Sequence, residues 1–233
     1  FIVLNTNNYN VAEHQKTIEE AVKAYPDAKW RIVTIHQDIY GSGLDHSDTD
    51  GMILRTQLTP VFDANDIDVV LQGHDHTYSR SKILYGDGKS HGSYEFRLDE
   101  TGLDYDWDHA YNNNTGESIT LNPLSSDTAA VEAKDAFTAD NKCYTIESSG
   151  KSVVTNPKGT LYMTANSASG SKYYELINSQ QDYIEVRSQN WLPSYSVIDL
   201  TKDDFKITTY QITDEGKVEN IDNTFTIHKT VNR

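Results

Sequence analysis

The 233-residue chain has a single cysteine, Cys143, only two methionines and five prolines. One thiol cannot form an intrachain disulfide or a cysteine-based zinc site, so neither holds this fold together. No apolar run approaches the roughly 18 residues needed to span a bilayer as a helix, so no membrane span is expected. Basic residues are also scarce, with 20 Lys plus Arg against 35 Asp plus Glu and a net charge of −15. A surface this acidic repels polyphosphate backbones, and nucleic acid is not expected as a bulk partner. The opening residues FIVLN carry no basic n-region, so they read as a strand and not as a signal peptide. A chain that opens in mid-strand is expected to be a piece of something longer.

The residues that are present describe a folded chain, 36% apolar and 24% charged, long enough for one domain with a sizeable core. Low cysteine fits a cytosolic protein and equally the exported proteins of many Gram-positive bacteria. The Asn-, Ser-, Thr- and Tyr-rich later half, as in YNNNTGESITLNP (111–123), tilts the expectation towards an extracellular or cell-surface bacterial protein.

Residues 1–84 alternate between strand and helix patterns. FIVLN (1–5), RIVTIH (31–36) and IDVVLQG (67–73) are apolar, β-branched runs of strand length. Between them, residues 12–25 put Ile18, Val22 and Tyr25 on one helical face before Pro26, and residues 52–65 space Leu54, Leu58, Val61 and Phe62 likewise, with Pro60 as a possible kink. The order β-α-β-α-β predicts an α/β layer structure with buried central strands. Beyond residue 84, segments 94–98, 160–165, 183–188, 194–200, 204–212 and 224–228 read as strands separated by turns such as TKDD and TDEGK. The polar stretch 99–158 reads as a long insertion within one domain.

Two strand ends carry the chemistry. IDVVLQG delivers Gly73, and His74 and His76 then bracket Asp75; RIVTIH ends on His36. In α/β sheets ligands collect at the carboxyl ends of strands, and the glycine lets the backbone bend there. A bare H-x-H is common in ordinary polar loops, and a lone strand-end histidine is more often hydrogen-bonded than a ligand. Two neighbouring strands that both end in histidine are more specific. They put His36, His74 and His76 at one sheet edge, where three imidazoles favour a transition metal such as Zn, Mn or Fe.

The series W-R-I-V-x-x-H (30–36) followed by V-V-L-x-G-H-D-H-x-Y-x-R (69–80) resembles the last two metal motifs of the calcineurin-like metallophosphoesterases. Tyr78 and Arg80 after the histidines, and Tyr40-Gly41-Ser42 after His36, are similar to the purple-acid-phosphatase-like branch. So are NPKGTLYMTANSASGSKYYEL (156–176) and SYSVIDLTKDDFKITTY (194–210). The resemblance covers most of the chain outside about 85–155 and implies an α/β (α+β) fold, a β-sandwich flanked by helices, here lacking its N-terminal strands.

It further implies a phosphoric ester hydrolase with two transition metal ions (Fe, Zn or Mn) and a bridging hydroxide that attacks phosphorus. His36 and His74 would ligate one metal and His76 the other, and each imidazole must be neutral to do so, so affinity should fall in acid. His46 would contact the substrate phosphate or protonate the leaving oxygen, and Asp75, between two ligands, would be structural or would support the ligands from behind. Asp45 stands where the branch often has histidine, a departure that weakens the leaving-group assignment. The larger departure is upstream. The family's Asp-bearing strand, Gly-Asp and Gly-Asn-His motifs have no counterpart in residues 1–30, where Asn5 and Asn8 do not fit the pattern. The implied partners are therefore a phosphate ester substrate and a missing N-terminal segment of the same protein, and the chain alone is expected to be nearly inactive. The competing reading is a degenerate, non-catalytic binding module of a surface protein. An amidohydrolase is a weaker rival, because His91, His109 and His228 stand at no convincing buried strand end.

Overall fold

The computed structural model describes residues 1–44, 50–92, 94–106, 109–120 and 126–231. Strand β1 (Ile2–Val3), helix α1 (Val11–Ala24), strand β2 (Ile32–Thr34), helix α2 (Asp50–Ala64) and strand β3 (Val69–Gln72) alternate in the expected order. Strands β4 (Tyr78–Ser81), β5 (Ile83–Gly86), β6 (Tyr94–Glu95), β7 (His109–Asn112) and β8 (Ser118–Thr120) follow. Next come helix α3 (Thr128–Asp140) and strands β9 (Tyr144–Ser148), β10 (Val153–Thr155), β11 (Leu161–Thr164) and β12 (Ile184–Ser188). Strands β13 (Ser194–Leu200), β14 (Asp204–Ile212) and β15 (Val218–His228) come last.

The class is mixed α/β, as expected. A six-stranded sheet runs β1-β2-β3-β11-β4-β12, and a four-stranded sheet runs β10-β15-β14-β13. Strands β1, β2, β3 and β11 are parallel, and β4 turns back antiparallel between β11 and β12. One face of the larger sheet packs under the first two helices: Val33 and Val70 share a buried cluster with Ile18 of α1 and with Leu54, Leu58 and Phe62 of α2. The opposite face packs on the smaller sheet, so that Ile32, Val69 and Leu161 meet Phe205, Ile207, Phe225 and Ile227. The result is a β-sandwich flanked by helices. Because the central strands are covered on both sides, β4 and β11 are buried along their whole length. Each fully buried aliphatic side chain in these two clusters contributes roughly 1.5–3 kcal/mol.

Local signals explain the ends of the elements. Asn10 caps α1 by accepting from the Glu13 N–H, and Pro26 lies two residues past Ala24, where no further turn can form. Pro60 lies inside α2 on its exposed side, and the helix continues to Ala64. Among the described residues no helix is long and apolar enough to cross a membrane.

Several elements were not anticipated. Helix α3 is capped by Asp127, whose carboxylate accepts from the Ala130 N–H at 3.0 Å, and runs through an alanine-rich stretch that seats Phe137 against Tyr94. Strands β4 and β5 were also unread. Within the polar stretch 99–158, β9 pairs with β5 and β10 pairs with β15, so its later part joins the body of the fold.

Candidate functional site

The sheet register builds the histidine edge. Parallel pairing sets Thr34 beside Leu71, and two residues on, the Gly73 N–H donates to the His36 carbonyl at 3.0 Å. His36 and His74 therefore leave adjacent strands at the same level. His36 Nε2 and His74 Nδ1 lie 3.0 Å apart, with the rings edge-on at 4.9 Å. His36 is exposed and His74 half-buried. His74 holds φ at 69°, a left-handed conformation that costs a side-chain-bearing residue about 1–2 kcal/mol. The turn thus places an imidazole where glycine would be unstrained. Behind the edge, Thr6 holds the strand end by accepting from the His36 N–H at 3.2 Å and donating to Gln37.

His76 faces a different partner. Its Nδ1 lies 2.9 Å from the Lys172 carbonyl, and its ring packs at 5.0 Å from Tyr174. An Nδ1–H held by a carbonyl leaves Nε2 with its lone pair free to bind a cation, the arrangement common behind metal-ligating histidines. Asp75, fully buried between the two histidines, accepts from the Gly43 N–H at 2.8 Å. It ties the loop after β2 to the histidine turn. A Cβ on Gly43 would run into that carboxylate, so glycine is required there by space. Gly73 has ordinary room around it, 3.6 Å to the His36 carbonyl, and is not required in the same way.

Two nitrogens each about 2.1 Å from one ion, at a right angle, lie about 3.0 Å apart. The His36–His74 pair fits one edge of such an ion, and the same spacing serves equally for a hydrogen bond between the rings. A two-metal centre asks for more. Among the described residues no group of three or more His, Cys, Asp or Glu side chains is placed to share an ion. The expected His36 and His74 are brought together, and His76 follows on its own carbonyl. His46 and its neighbour Asp45 lie outside the described residues. The described side chains thus match part of one ion's ligand shell and do not by themselves make up the two-metal centre.

Tyr78 and Arg80, which follow the histidines, serve a different purpose. Alternating along β4, both reach Asp222 on β15. Tyr78 donates to Asp222 Oδ2 at 2.6 Å, Arg80 Nε donates to the same oxygen at 2.6 Å, and Arg80 Nη2 donates to Oδ1 at 3.2 Å. The guanidinium also lies 4.6 Å over the Phe225 ring. Burial disfavours the charge on Arg80, and Asp222 more than offsets it. Burial and the neighbouring carboxylate push the Tyr78 phenol well above its ordinary value, so it stays a donor. This buried clamp bolts the two sheets together. Sequence reading named the residue pair through the family resemblance and missed Asp222 and Gly43, which no local motif marks.

No family model and no curated protein matches the chain. Among solved structures it is similar to a purple acid phosphatase from yellow lupin (Lupinus luteus) seeds, at TM-score 0.49 and 11% identity over 97% of this chain. The chain spans 30% of the length of that phosphatase. It is also similar to Vps29 of Chaetomium thermophilum, at TM-score 0.22 and 11% identity over 96% of each chain. A double mutant of Vps29 from Entamoeba histolytica gives TM-score 0.19 and 12% identity over 71% of this chain and 87% of that one. Likenesses this loose carry nothing about what this chain binds or does.

Proposed function

We propose that the carboxyl edge of β2 and β3 is the histidine part of a metal-dependent phosphoric ester hydrolase. His36 and His74 would share one ion and His76 would face a second, with Fe, Zn or Mn suited to imidazole donors. The supporting observation is the 3.0 Å approach of His36 Nε2 to His74 Nδ1 at the ends of adjacent parallel strands. The strained φ of 69° at His74 adds to it, because such strain collects at functional positions. In this reading the carboxylate and asparagine ligands come from sequence outside residues 1–233, and the chain is the C-terminal part of one domain with 99–158 as its insertion. An exported, cell-surface setting belongs to the same reading.

The test is hydrolysis of an aryl phosphate with added Mn or Zn, by this chain and by a version extended upstream. The extended version should turn over and lose at least about a hundredfold on His74→Ala, while this chain stays near background. A second reading has its own support: the described residues bring only two metal donors into contact, and Asp75 between the histidines faces inward to Gly43. That suits a non-catalytic binding module. An extended version that holds metal tightly yet hydrolyses nothing would decide for the module.

A further inference from the structure

Three buried cations set up a contrast. Arg80 meets Asp222, and Lys229 meets Asp68 at 2.6 Å. Arg55, with a relative exposure of 3%, has no carboxylate within ion-pair distance among the described residues. Its Nε donates to the Ile39 carbonyl, and its Nη2 lies 3.4 Å from the Tyr183 hydroxyl. The guanidinium lies 4.4 Å over the Tyr40 ring and 4.9 Å over the Tyr183 ring. Burial pushes the phenols of Tyr40, Tyr144 and Tyr162 well above their ordinary value, so none of them supplies a countercharge. Aromatic faces stabilise a cation, but they do not neutralise it. A buried guanidinium without an anion is costly.

Arg55 lines a cavity of about 350 Å³ on the helix side of the sheet, between α2, α3 and the loop before β12. Gln181 lines it too. Its Oε1 accepts from Ser42 at 2.9 Å, and its buried Nε2 has no acceptor among the described residues. Lys142 stands at the mouth. The carboxylates there are Asp182, held by Lys142 at 2.7 Å and by the Tyr144 hydroxyl, and the exposed Asp135.

We propose that this cavity binds a small molecule through a phosphoryl or carboxylate oxyanion, taken by Arg55 and Gln181 Nε2 with Lys142 at the rim. The guanidinium fork matches either oxyanion in two-point fashion, and the volume is that of a small-ligand pocket. The site is separate from the histidine edge and stands whether or not that edge is catalytic.

The full chain, kept in EDTA, is titrated with inorganic phosphate and separately with acetate at ionic strength fixed by chloride. Thermal unfolding and the Gln181 side-chain amide resonance are followed. A saturable rise in melting temperature with a shift of that resonance is expected. Response to phosphate alone names a phosphoryl group, and response to acetate alone or to both names a carboxylate or a general oxyanion site. Arg55→Lys, which keeps the charge and loses the fork, should weaken binding about tenfold or more. Gln181→Glu, which keeps the acceptor for Ser42 and replaces the donor, should abolish binding even if the Arg55 variant fails to fold. His74→Ala should leave it unchanged. No saturable response to either anion, a Gln181→Glu variant that binds normally, or binding lost on His74→Ala would each overturn the proposal.

Discussion

The nine residues Gly73–Ser81 contain two regions of opposite character. His74 and His76 face the open edge of the sheet, where their partners are another imidazole and a backbone carbonyl. Tyr78 and Arg80, only a few residues on, are buried and closed onto Asp222. The first region is open and carries backbone strain at His74, whereas the second is buried and pairs its guanidinium with a carboxylate. One short motif therefore supplies both the histidine edge proposed to bind metal and a clamp between the two sheets. Substitutions should separate the two, with stability lost in the second region and ligand binding lost in the first.

The largest effect belongs to the clamp. Asp222→Ala strands the Arg80 guanidinium between the sheets and should cost about 3–5 kcal/mol, read as a lower midpoint in urea unfolding. The paired replacement Arg80→Met with Asp222→Leu removes both charges and should recover part of that loss, because a buried ion pair contributes little beyond its apolar substitute while the Tyr78 hydroxyl still loses its acceptor. If the pair is as unstable as Asp222→Ala alone, the clamp does more than neutralise a charge. A middle-sized effect is expected at the histidine edge, with the opposite sign. His74→Gly relieves the positive φ and should leave stability unchanged or raise it by up to about 1 kcal/mol, while weakening Zn or Mn binding measured by calorimetry. A variant that is destabilised with metal binding intact would make His74 a structural residue and erase the contrast.

Much of this was legible in the sequence because it is local. Periodicity located α1, α2 and the apolar strands, and the strand-end position of His36 and His74 followed from pattern alone. Tyr78 and Arg80 stood out only through the family resemblance, and their partner did not stand out at all: Asp222 lies 142 residues beyond Arg80, and only sheet packing brings them together. Gly43 is similar, since its need for glycine comes from the Asp75 carboxylate 32 residues away. Helix α3 and strand β9 escaped because the polar residues around them hid short elements that are fixed by what they pack on, Phe137 by Tyr94 and β9 by β5.

The smallest effect concerns a carboxylate outside both regions. Asp63 on α2 accepts from the Gly86 N–H at 2.8 Å, and burial pushes its pKa up to about 6 despite that bond. The folded pKa lies above the unfolded one, so its contribution is fully present below the unfolded pKa and fades as pH rises through about 6. A shift of this size in a fully buried group would be about 3 kcal/mol, but Asp63 is half-exposed and solvent screening brings the expectation to about 1 kcal/mol. Asp87, Asp182 and Asp203 are shifted the other way and lose stability as pH falls, so the pH profile of the whole chain does not isolate Asp63. The difference between the chain and Asp63→Asn does. The variant should be the more stable of the two at pH 7.5 by about 1 kcal/mol, and the gap should close by pH 5. A gap that persists unchanged at pH 5 would mean that the amide improves packing against Gly86, and that charge burial at Asp63 costs this fold nothing.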